Sequence, residues 1–117
     1  RCVSDLSSMF GNSDIGWDII WEFGGTPWEN KKAYIKWSPI TYIDRCTTPL
    51  MIIHSEFDLR CNIEQGDQMF TALKYLKRNV EYVRFPEEPH GLSRHGRPDR
   101  REARLKLIVG WFDKYLK

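Results

Sequence analysis

A run of four apolar residues, Leu50 to Ile53, directly follows Thr48-Pro49 and constrains the fold more than any other feature. Such a run is typical of a strand that is buried on both faces, as in a parallel sheet, and it predicts a strand at about 50–55. A second strand is predicted at about 80–85 and is expected to end at Pro86. Two strands pack too little surface to stand alone. We therefore expect a larger sheet, completed by residues outside this chain or by another molecule.

Helical patterns precede, separate and follow the two predicted strands. The periodicity predicts helices at about 4–12, 63–77 and 100–116, with Ser4 and Asn62 as caps of the first two. Shorter helical segments are expected at 15–21 and 31–36. The apolar stripe of the last helix consists of Leu105, Ile108, Val109, Phe112 and Leu116. Strand, helix, strand and helix joined by short links imply a right-handed α/β unit.

Composition argues against several classes of partner. The net charge is only +2, with both signs interleaved, which favours a soluble protein that binds no nucleic acid. No apolar run approaches the ~20 residues of a membrane span. The cysteines Cys2, Cys46 and Cys61 are an odd set without C-x-x-C spacing, so we expect no disulfide framework and no metal, and a reducing, cytoplasmic location. The chain begins at Arg1 rather than at an initiator methionine, which favours a fragment of a longer protein.

Polar residues follow both predicted strands at the carboxyl ends, where open α/β sheets place their functional groups. Asp58 comes shortly after the first strand, and His90 comes shortly after the second. We expect the two side chains to meet at one edge of the sheet. A carboxylate there can accept a hydrogen bond from the imidazole, and the other ring nitrogen can then take a proton from a hydroxyl. Acid before histidine is also the chain order of α/β-hydrolases, whose serine lies on an earlier strand.

Short motifs follow one another in a recognisable order along the whole chain. They are Arg1-Cys2-Val3-Ser4-Asp5, Ser13-Asp14-Ile15-Gly16, Pro27-Trp28-Glu29-Asn30, Ser38-Pro39-Ile40-Thr41-Tyr42, Thr48-Pro49-Leu50, His54-Ser55-Glu56-Phe57-Asp58-Leu59-Arg60, Ile63-Glu64-Gln65, Arg84-Phe85-Pro86, His90-Gly91-Leu92-Ser93-Arg94 and Trp111-Phe112. In these motifs the whole chain resembles the acylaminoacyl-peptidase branch of the prolyl oligopeptidase family. The resemblance implies that residues 1–117 are the C-terminal part of an α/β-hydrolase catalytic domain. It also implies that Asp58 is the triad acid and His90 the triad base, with no cofactor. Asn62 stands where many relatives have proline.

The family's nucleophile is absent from this chain. It lies in a G-x-S-x-G elbow, and neither Gly11-Asn12-Ser13 nor Ser93-Arg94-His95-Gly96 fits that pattern. The resemblance implies that the elbow, the oxyanion-hole donors and the β-propeller belong to the part of the protein before this segment. We therefore expect the isolated chain to be inactive.

Two smaller motifs each allow a structural and a functional interpretation. His54-Ser55-Glu56 resembles the H-x-E of zinc deaminases, but that chemistry also needs a P-C-x-x-C partner. The chain has none, so His54 is expected to pack or hydrogen-bond at the strand end. Cys61, three residues after Asp58, is either a reactive thiol or a packed cysteine, and packing is favoured.

The basic and the aromatic residues also allow both a structural and a functional interpretation. A basic cluster could contact nucleic acid, but acidic residues lie close to it in sequence, and local ion pairing is favoured. The cluster consists of Arg94, Arg97, Arg100, Arg101 and Arg104. The tryptophans are expected to be anchors of the core and the loops, with one or two near a substrate pocket. They are Trp17, Trp21, Trp28, Trp37 and Trp111.

Three functions are compatible with these observations. The first is a serine peptidase acting on short or acylated peptides, in which this chain works with the upstream part of the same protein. The second is an inactive fragment that forms a homo-oligomer through the exposed edge of its first strand. The third is a carboxylesterase of the same fold, because a triad does not distinguish amide from ester substrates.

Overall fold

The computed structural model describes residues 1–116, and two parallel strands form its centre. Strand β1 (Leu50–Phe57) and strand β2 (Val80–Pro89) pair in register from Leu50 with Val80 to Ser55 with Phe85. Helix α4 (Glu64–Tyr75) connects them and packs on the sheet. The predicted α/β class is confirmed, with the strand–helix–strand unit where the apolar run placed it.

Strand β2 extends beyond Pro86, and the prediction that it ends there is wrong. Pairing is interrupted after Ser55 and resumes where Phe57 lies opposite Pro89, so β2 carries extra residues at this point. Glu87 adopts a left-handed conformation with φ of 61°. A proline lacks a backbone N–H, but an edge strand with a bulge can absorb this loss. Strand β1 is also longer than predicted, since it reaches Phe57.

Five short helical segments precede the sheet. They are α1 (Leu6–Asn12), a 3-10 helix (Gly16–Ile19), α2 (Ile20–Phe23), α3 (Lys31–Trp37) and a second 3-10 helix (Pro39–Arg45). The N-cap of α1 is Asp5, whose carboxylate accepts the N–H groups of Ser7 and Ser8, and the prediction of a Ser4 cap is wrong. Ser4 is instead fully buried, and its hydroxyl donates to the carbonyl of Gln65 at 2.7 Å.

The helices that follow β1 agree with the predicted positions and differ at their ends. The N-cap position of α4 is Ile63, and the predicted cap residue Asn62 lies one residue earlier, where its side chain accepts the N–H of Glu64 at 3.1 Å. Helix α4 stops at Tyr75, shortly before the left-handed Lys77. A short helix, α5 (Leu92–His95), was not predicted. The last helix, α6 (Pro98–Leu116), starts two residues earlier than expected, at a proline suited to the first helical turn.

The core lies on one side of the sheet, around Ile52, Leu73 and Val80. The other side is open. Among the described residues no strand pairs with the outer edge of β1, and no side chain of α6 is fully buried, although Ile108 and Trp111 are half-buried. A groove of about 850 Å³ runs between β1 and α6, lined by residues that include Ile52, Ile108 and Phe112. None of the helices within residues 1–116 is both long and apolar enough to cross a bilayer.

The chain is flatter than a self-contained domain of its size. Its radius of gyration is 15.3 Å and its extents are 44 × 33 × 20 Å, whereas about 13 Å is typical for 100–120 residues. The tryptophans show the same openness. Four of them, Trp17, Trp21, Trp28 and Trp37, are at least 61% exposed, so the prediction that they anchor the core is wrong. Large aromatic side chains need a packing layer to be buried, and within residues 1–116 these four have only partial contacts, as where Trp28 meets the ring of Phe10 edge-on at 5.5 Å.

Candidate active site

Asp58 and His90 lie side by side where the two strands end. Each directly follows one member of the last strand pair, Phe57 opposite Pro89, so the register itself brings them together. The Nδ1 of His90 is 2.9 Å from Oδ2 of Asp58 and 3.0 Å from Oδ1. The proximity expected from the strand pattern is therefore present.

The carboxylate of Asp58 is buried and fully hydrogen-bonded. Its exposed fraction is 2%, and Oδ1 accepts the backbone N–H of Arg60 at 3.0 Å and of Cys61 at 2.8 Å. Burial of a carboxylate is costly unless hydrogen bonds compensate for the lost water. Here two amides and one imidazole do so, and they also fix the plane of the carboxylate.

The contact with Asp58 determines which nitrogen of His90 is free. Because the carboxylate can only accept, Nδ1 carries the hydrogen and Nε2 keeps its lone pair. The His90 side chain is 28% exposed, and Nε2 lies 3.5 Å from the guanidinium of Arg1, which itself donates to Ser93 at 2.8 Å. None of the hydrogen bonds to His90 within residues 1–116 comes from a serine hydroxyl. The arrangement thus brings a carboxylate and an imidazole into contact, and Nε2 of the imidazole faces away from the carboxylate.

An ion pair ties the loop after β1 to the first part of the chain. Arg60 Nε lies 2.5 Å from Oδ1 of Asp14, and the N–H of Asp14 donates to the carbonyl of Leu59 at 2.9 Å. The hydrogen bond from Arg60 lowers the pKa of the Asp14 carboxyl. Both side chains are largely exposed, so this pair orients the loop more than it stabilises the fold.

Two further polar residues near the site in sequence are buried, and the apolar pattern predicts neither burial. Glu88, two residues before His90, is 3% exposed and accepts the N–H of Arg97 at 3.2 Å, with Arg100 Nε at 3.7 Å. Gln65 is fully buried, and its side-chain oxygen accepts the N–H of Ser4 at 2.8 Å. Gln65 interrupts the apolar stripe of α4, which is a signal for a buried polar residue, whereas nothing in the local pattern marks Glu88 of β2.

His54 and Cys61 pack as the sequence predicted. His54 is 1% exposed, and its Nε2 lies 2.7 Å from the carbonyl of Cys61. The thiol of Cys61 is buried, and burial raises its pKa. These observations favour a packed cysteine over a reactive thiol.

One cluster at the site has the composition of a metal-binding set. The carboxylate of Asp58, the Sγ of Cys61 and the imidazole of His90 come within 4.8 Å of one another. Such donors suit a cation like Zn²⁺. Both oxygens of Asp58 already accept hydrogen bonds, however, and the raised pKa of the thiol disfavours the thiolate that a metal needs. The arrangement therefore favours a proton-transfer pair.

The basic cluster near the site is partly neutralised within the chain. Arg97 pairs with Asp99 at 3.0 Å, and Arg100 pairs with the buried Glu88. Arg94 and Arg101 are exposed. Local ion pairing, the favoured interpretation, is thus confirmed for Arg97 and Arg100.

Comparison with known proteins gives a consistent result. The model described as "Prolyl oligopeptidase family" matches residues 1–117. The uncharacterized peptidase YuxL of Bacillus subtilis (strain 168) is 41% identical over 117 residues, which cover 99% of this chain and 18% of that protein. Dipeptidyl-peptidase 5 of Schizosaccharomyces pombe is 32% identical over 115 residues, covering 98% of this chain and 16% of that protein.

The chain is also similar in three-dimensional structure to a protein of known structure. Acylaminoacyl peptidase of Pyrococcus horikoshii, in its uncomplexed form, superposes with a TM-score of 0.91 at 35% identity. The match covers 98% of this chain and 19% of that one. The chain thus spans less than a fifth of the length of each relative.

Proposed function

The chain belongs to the prolyl oligopeptidase family, and from that premise we propose that Asp58 and His90 are the acid and the base of a serine peptidase triad. The observation that carries the proposal is the 2.9 Å contact between Nδ1 of His90 and the buried carboxylate of Asp58. It leaves Nε2 as the only ring nitrogen able to take a proton.

The pair acts twice in each catalytic cycle. When a serine of the upstream part attacks the substrate carbonyl, Nε2 of His90 takes the hydroxyl proton, and Asp58 stabilises the resulting imidazolium. His90 then gives this proton to the departing amine, which leaves an acyl-enzyme. Water attacks the acyl group, its proton passes to His90 and on to the serine oxygen, and the carboxylic acid is released.

Residues 1–117 are, in this proposal, the C-terminal part of the catalytic α/β-hydrolase domain. The nucleophile elbow and the oxyanion-hole donors come from the part before Arg1, and the isolated chain hydrolyses nothing. The open edge of β1 supports this assignment, since a parallel strand so apolar is normally flanked on both sides. The three free cysteines support a reducing, cytoplasmic location.

The substrates we propose are short peptides with an acylated or a free N-terminus. The names of the relatives differ on this point, since one is an acylaminoacyl peptidase and another a dipeptidyl-peptidase. The triad alone is equally compatible with an esterase. Turnover of acyl-amino-acid, dipeptide and simple ester substrates by the full-length protein separates the three possibilities.

The test of the acid–base pair uses the full-length protein with His90→Ala. Turnover is expected to fall by about 10⁴-fold or more, because the serine loses its base. His95→Ala is the matched control, since His95 lies on α5 and is exposed. Near-normal peptidase turnover in the His90 variant would overturn the assignment.

A second candidate function is self-association of the isolated chain. It is favoured by the groove between β1 and α6 and by Leu105, Val109 and Phe112, each more than half exposed on α6. Unpaired strand edges recruit other strands. Sedimentation of the purified chain should show a dimer or larger species, and a concentration-independent monomer would contradict this candidate. A fluorophosphonate probe should label the full-length protein and leave the isolated chain unlabelled.

A further inference from the structure

His54 lies inside the chain with both ring nitrogens engaged. Its Nδ1 accepts the backbone N–H of Cys2 at 3.3 Å, and its Nε2 lies 2.7 Å from the carbonyl of Cys61. Because Nδ1 accepts, the hydrogen of the neutral ring is on Nε2, which donates to that carbonyl. The ring is therefore neutral, in one tautomer and in one orientation.

Cys61 connects this ring to the acid of the proposed triad. Its carbonyl is held by His54, and its N–H donates to Oδ1 of Asp58 at 2.8 Å. Asp58 in turn contacts His90. One continuous path of hydrogen bonds thus runs from the His54 ring, through the backbone of a single residue, to the His90 ring.

His54 does not act on the carboxylate directly. Its Nε2 is 3.6 Å from Oδ2 of Asp58, which is too long for a hydrogen bond. The short contact of His54 is with the turn that follows Asp58, and the N–H groups of Arg60 and Cys61 in this turn donate to the Asp58 carboxylate. Any effect of His54 on the acid must therefore pass through the conformation of this turn, residues 58–61.

The ring also has no room to adopt another position. A Cβ placed on Gly66 of α4 would stand 3.1 Å from Nδ1 of His54 and 2.6 Å from the hydroxyl of Tyr82. Glycine at this position lets α4 approach the ring closely, and the ring fills the space between helix and strand. Close packing of this kind restricts a side chain to one rotamer.

We propose that His54 is a positioning residue for the acid–base pair, holding the turn 58–61 so that the Asp58 carboxylate meets Nδ1 of His90. This inference rests on the proposed function. It differs from a purely structural role, because a structural residue supports the fold without affecting the alignment of Asp58 with His90.

The experiment compares three variants at His54 in the full-length protein, assayed well below their unfolding temperatures. His54→Leu removes both hydrogen bonds of the ring. In His54→Asn the side-chain amide reaches only the position of Nδ1, so the bond to the Cys61 carbonyl is lost. In His54→Gln the side-chain amide can place an N–H at the position of Nε2 and keep that bond. We expect His54→Leu to lower kcat by about 10²-fold with little change in KM, since a displacement near 1 Å costs this much. His54→Gln should recover at least a tenth of the parent kcat, and His54→Asn should not.

Leu73→Ala is the control for lost stability. Leu73 is 1% exposed in the core and lies outside the path of hydrogen bonds, so this variant should melt earlier and keep its kcat. A His54→Leu variant with kcat within about threefold of the parent overturns the proposal. If that variant does not fold, the proposal falls when His54→Gln is no faster than His54→Asn. If the His90→Ala variant is active, the proposed function itself is wrong. If the His90→Ala variant is inactive and the His54 variants keep the parent kcat, only the positioning role is wrong.

Discussion

At the carboxyl end of the sheet the chain buries its polar side chains and provides their hydrogen-bond partners, whereas on the open side its apolar surface is left largely uncovered. At the carboxyl end His54, Asp58 and Glu88 are each at most 3% exposed, and each has hydrogen-bond partners. On the open side the outer edge of β1 pairs with no strand of residues 1–116, and no side chain of α6 is fully buried.

The difference arises because a hydrogen bond and the burial of apolar surface need very different amounts of surrounding structure. A hydrogen bond needs one partner at one distance, and a turn of a few residues can provide it, as Cys61 does for Asp58. Burial of apolar surface needs whole layers of secondary structure. A short segment can therefore hold the carboxylate of Asp58 and the imidazole of His90 in contact while one side of its sheet has few covering residues.

The largest effect is expected at the carboxyl end. Asp58→Asn in the full-length protein should lower kcat by about 10⁴-fold, because an amide in this position cannot stabilise the imidazolium and favours the wrong tautomer. Steady-state kinetics with a chromogenic peptide measures it. Asp44→Asn, at an exposed position, should leave kcat unchanged, and a comparable loss there would contradict the assignment.

A change in the core should lower the stability of the fold and leave kcat unchanged. Leu73→Ala should reduce the free energy of unfolding by about 2–5 kcal/mol, because it leaves a cavity between α4 and the sheet. Denaturant titration measures the loss, and kcat below the melting temperature should be retained. Thr71→Ala, on the exposed face of the same helix, should change stability by less than about 0.5 kcal/mol. Loss of kcat in the Leu73 variant would show that the two regions are coupled.

The open side can be tested in the isolated chain. Phe112→Glu places a charge in the groove beside β1 and should weaken self-association by about tenfold, since burying a phenyl group contributes about 1.5–3 kcal/mol. Tyr75→Glu makes the same kind of change at the far end of α4, where Tyr75 is 86% exposed. Sedimentation velocity compares the two, and equal effects would mean that association does not use the groove.

A smaller effect is expected from the titration of His54. Burial lowers the pKa of its imidazole below the ordinary 6.5. Below pH 6.5 the unfolded chain therefore binds a proton that the folded chain does not, so the contribution to stability is present above pH 6.5 and is lost as the pH falls toward the folded pKa. The slope from this one group is at most about 1.4 kcal/mol per pH unit. Unfolding titrations from pH 7.5 to 5 should show a shallower slope for His54→Gln.

The smallest effect concerns the thiols. Cys61 is buried with a raised pKa, whereas Cys46 is half-buried. Iodoacetamide should therefore modify Cys61 more slowly than Cys46, as followed by mass spectrometry. In denaturant the two should react alike. Rapid labelling of Cys61 in the folded chain would show that the turn 58–61 opens easily.

Much of the fold could be predicted from local pattern. The apolar run of β1 and the periodicity of α4 and α6 act over a few residues, and the sequence displays them directly. The prediction failed where a residue's environment differs from its usual one. The pattern predicts that β2 ends at Pro86, yet a bulged edge strand tolerates this residue. The tryptophans are expected to anchor the core and the loops, yet four of the five are at least 61% exposed, because burial requires a covering layer and is not a property of the residue.

The sequence by itself determined the α/β class, the family and the placement of Asp58 and His90 after neighbouring strands. The class and the placement follow from periodicity and from the rule that parallel strands end at one edge, whereas the family follows from the resemblance of segments along the whole chain. Only the tertiary structure decided that Nε2 of His54 meets the carbonyl of Cys61, that Gln65 accepts the N–H of Ser4 from 61 residues away, and that no strand of residues 1–116 pairs with the outer edge of β1. Such contacts depend on distances between segments far apart in the chain, and no local pattern specifies these distances.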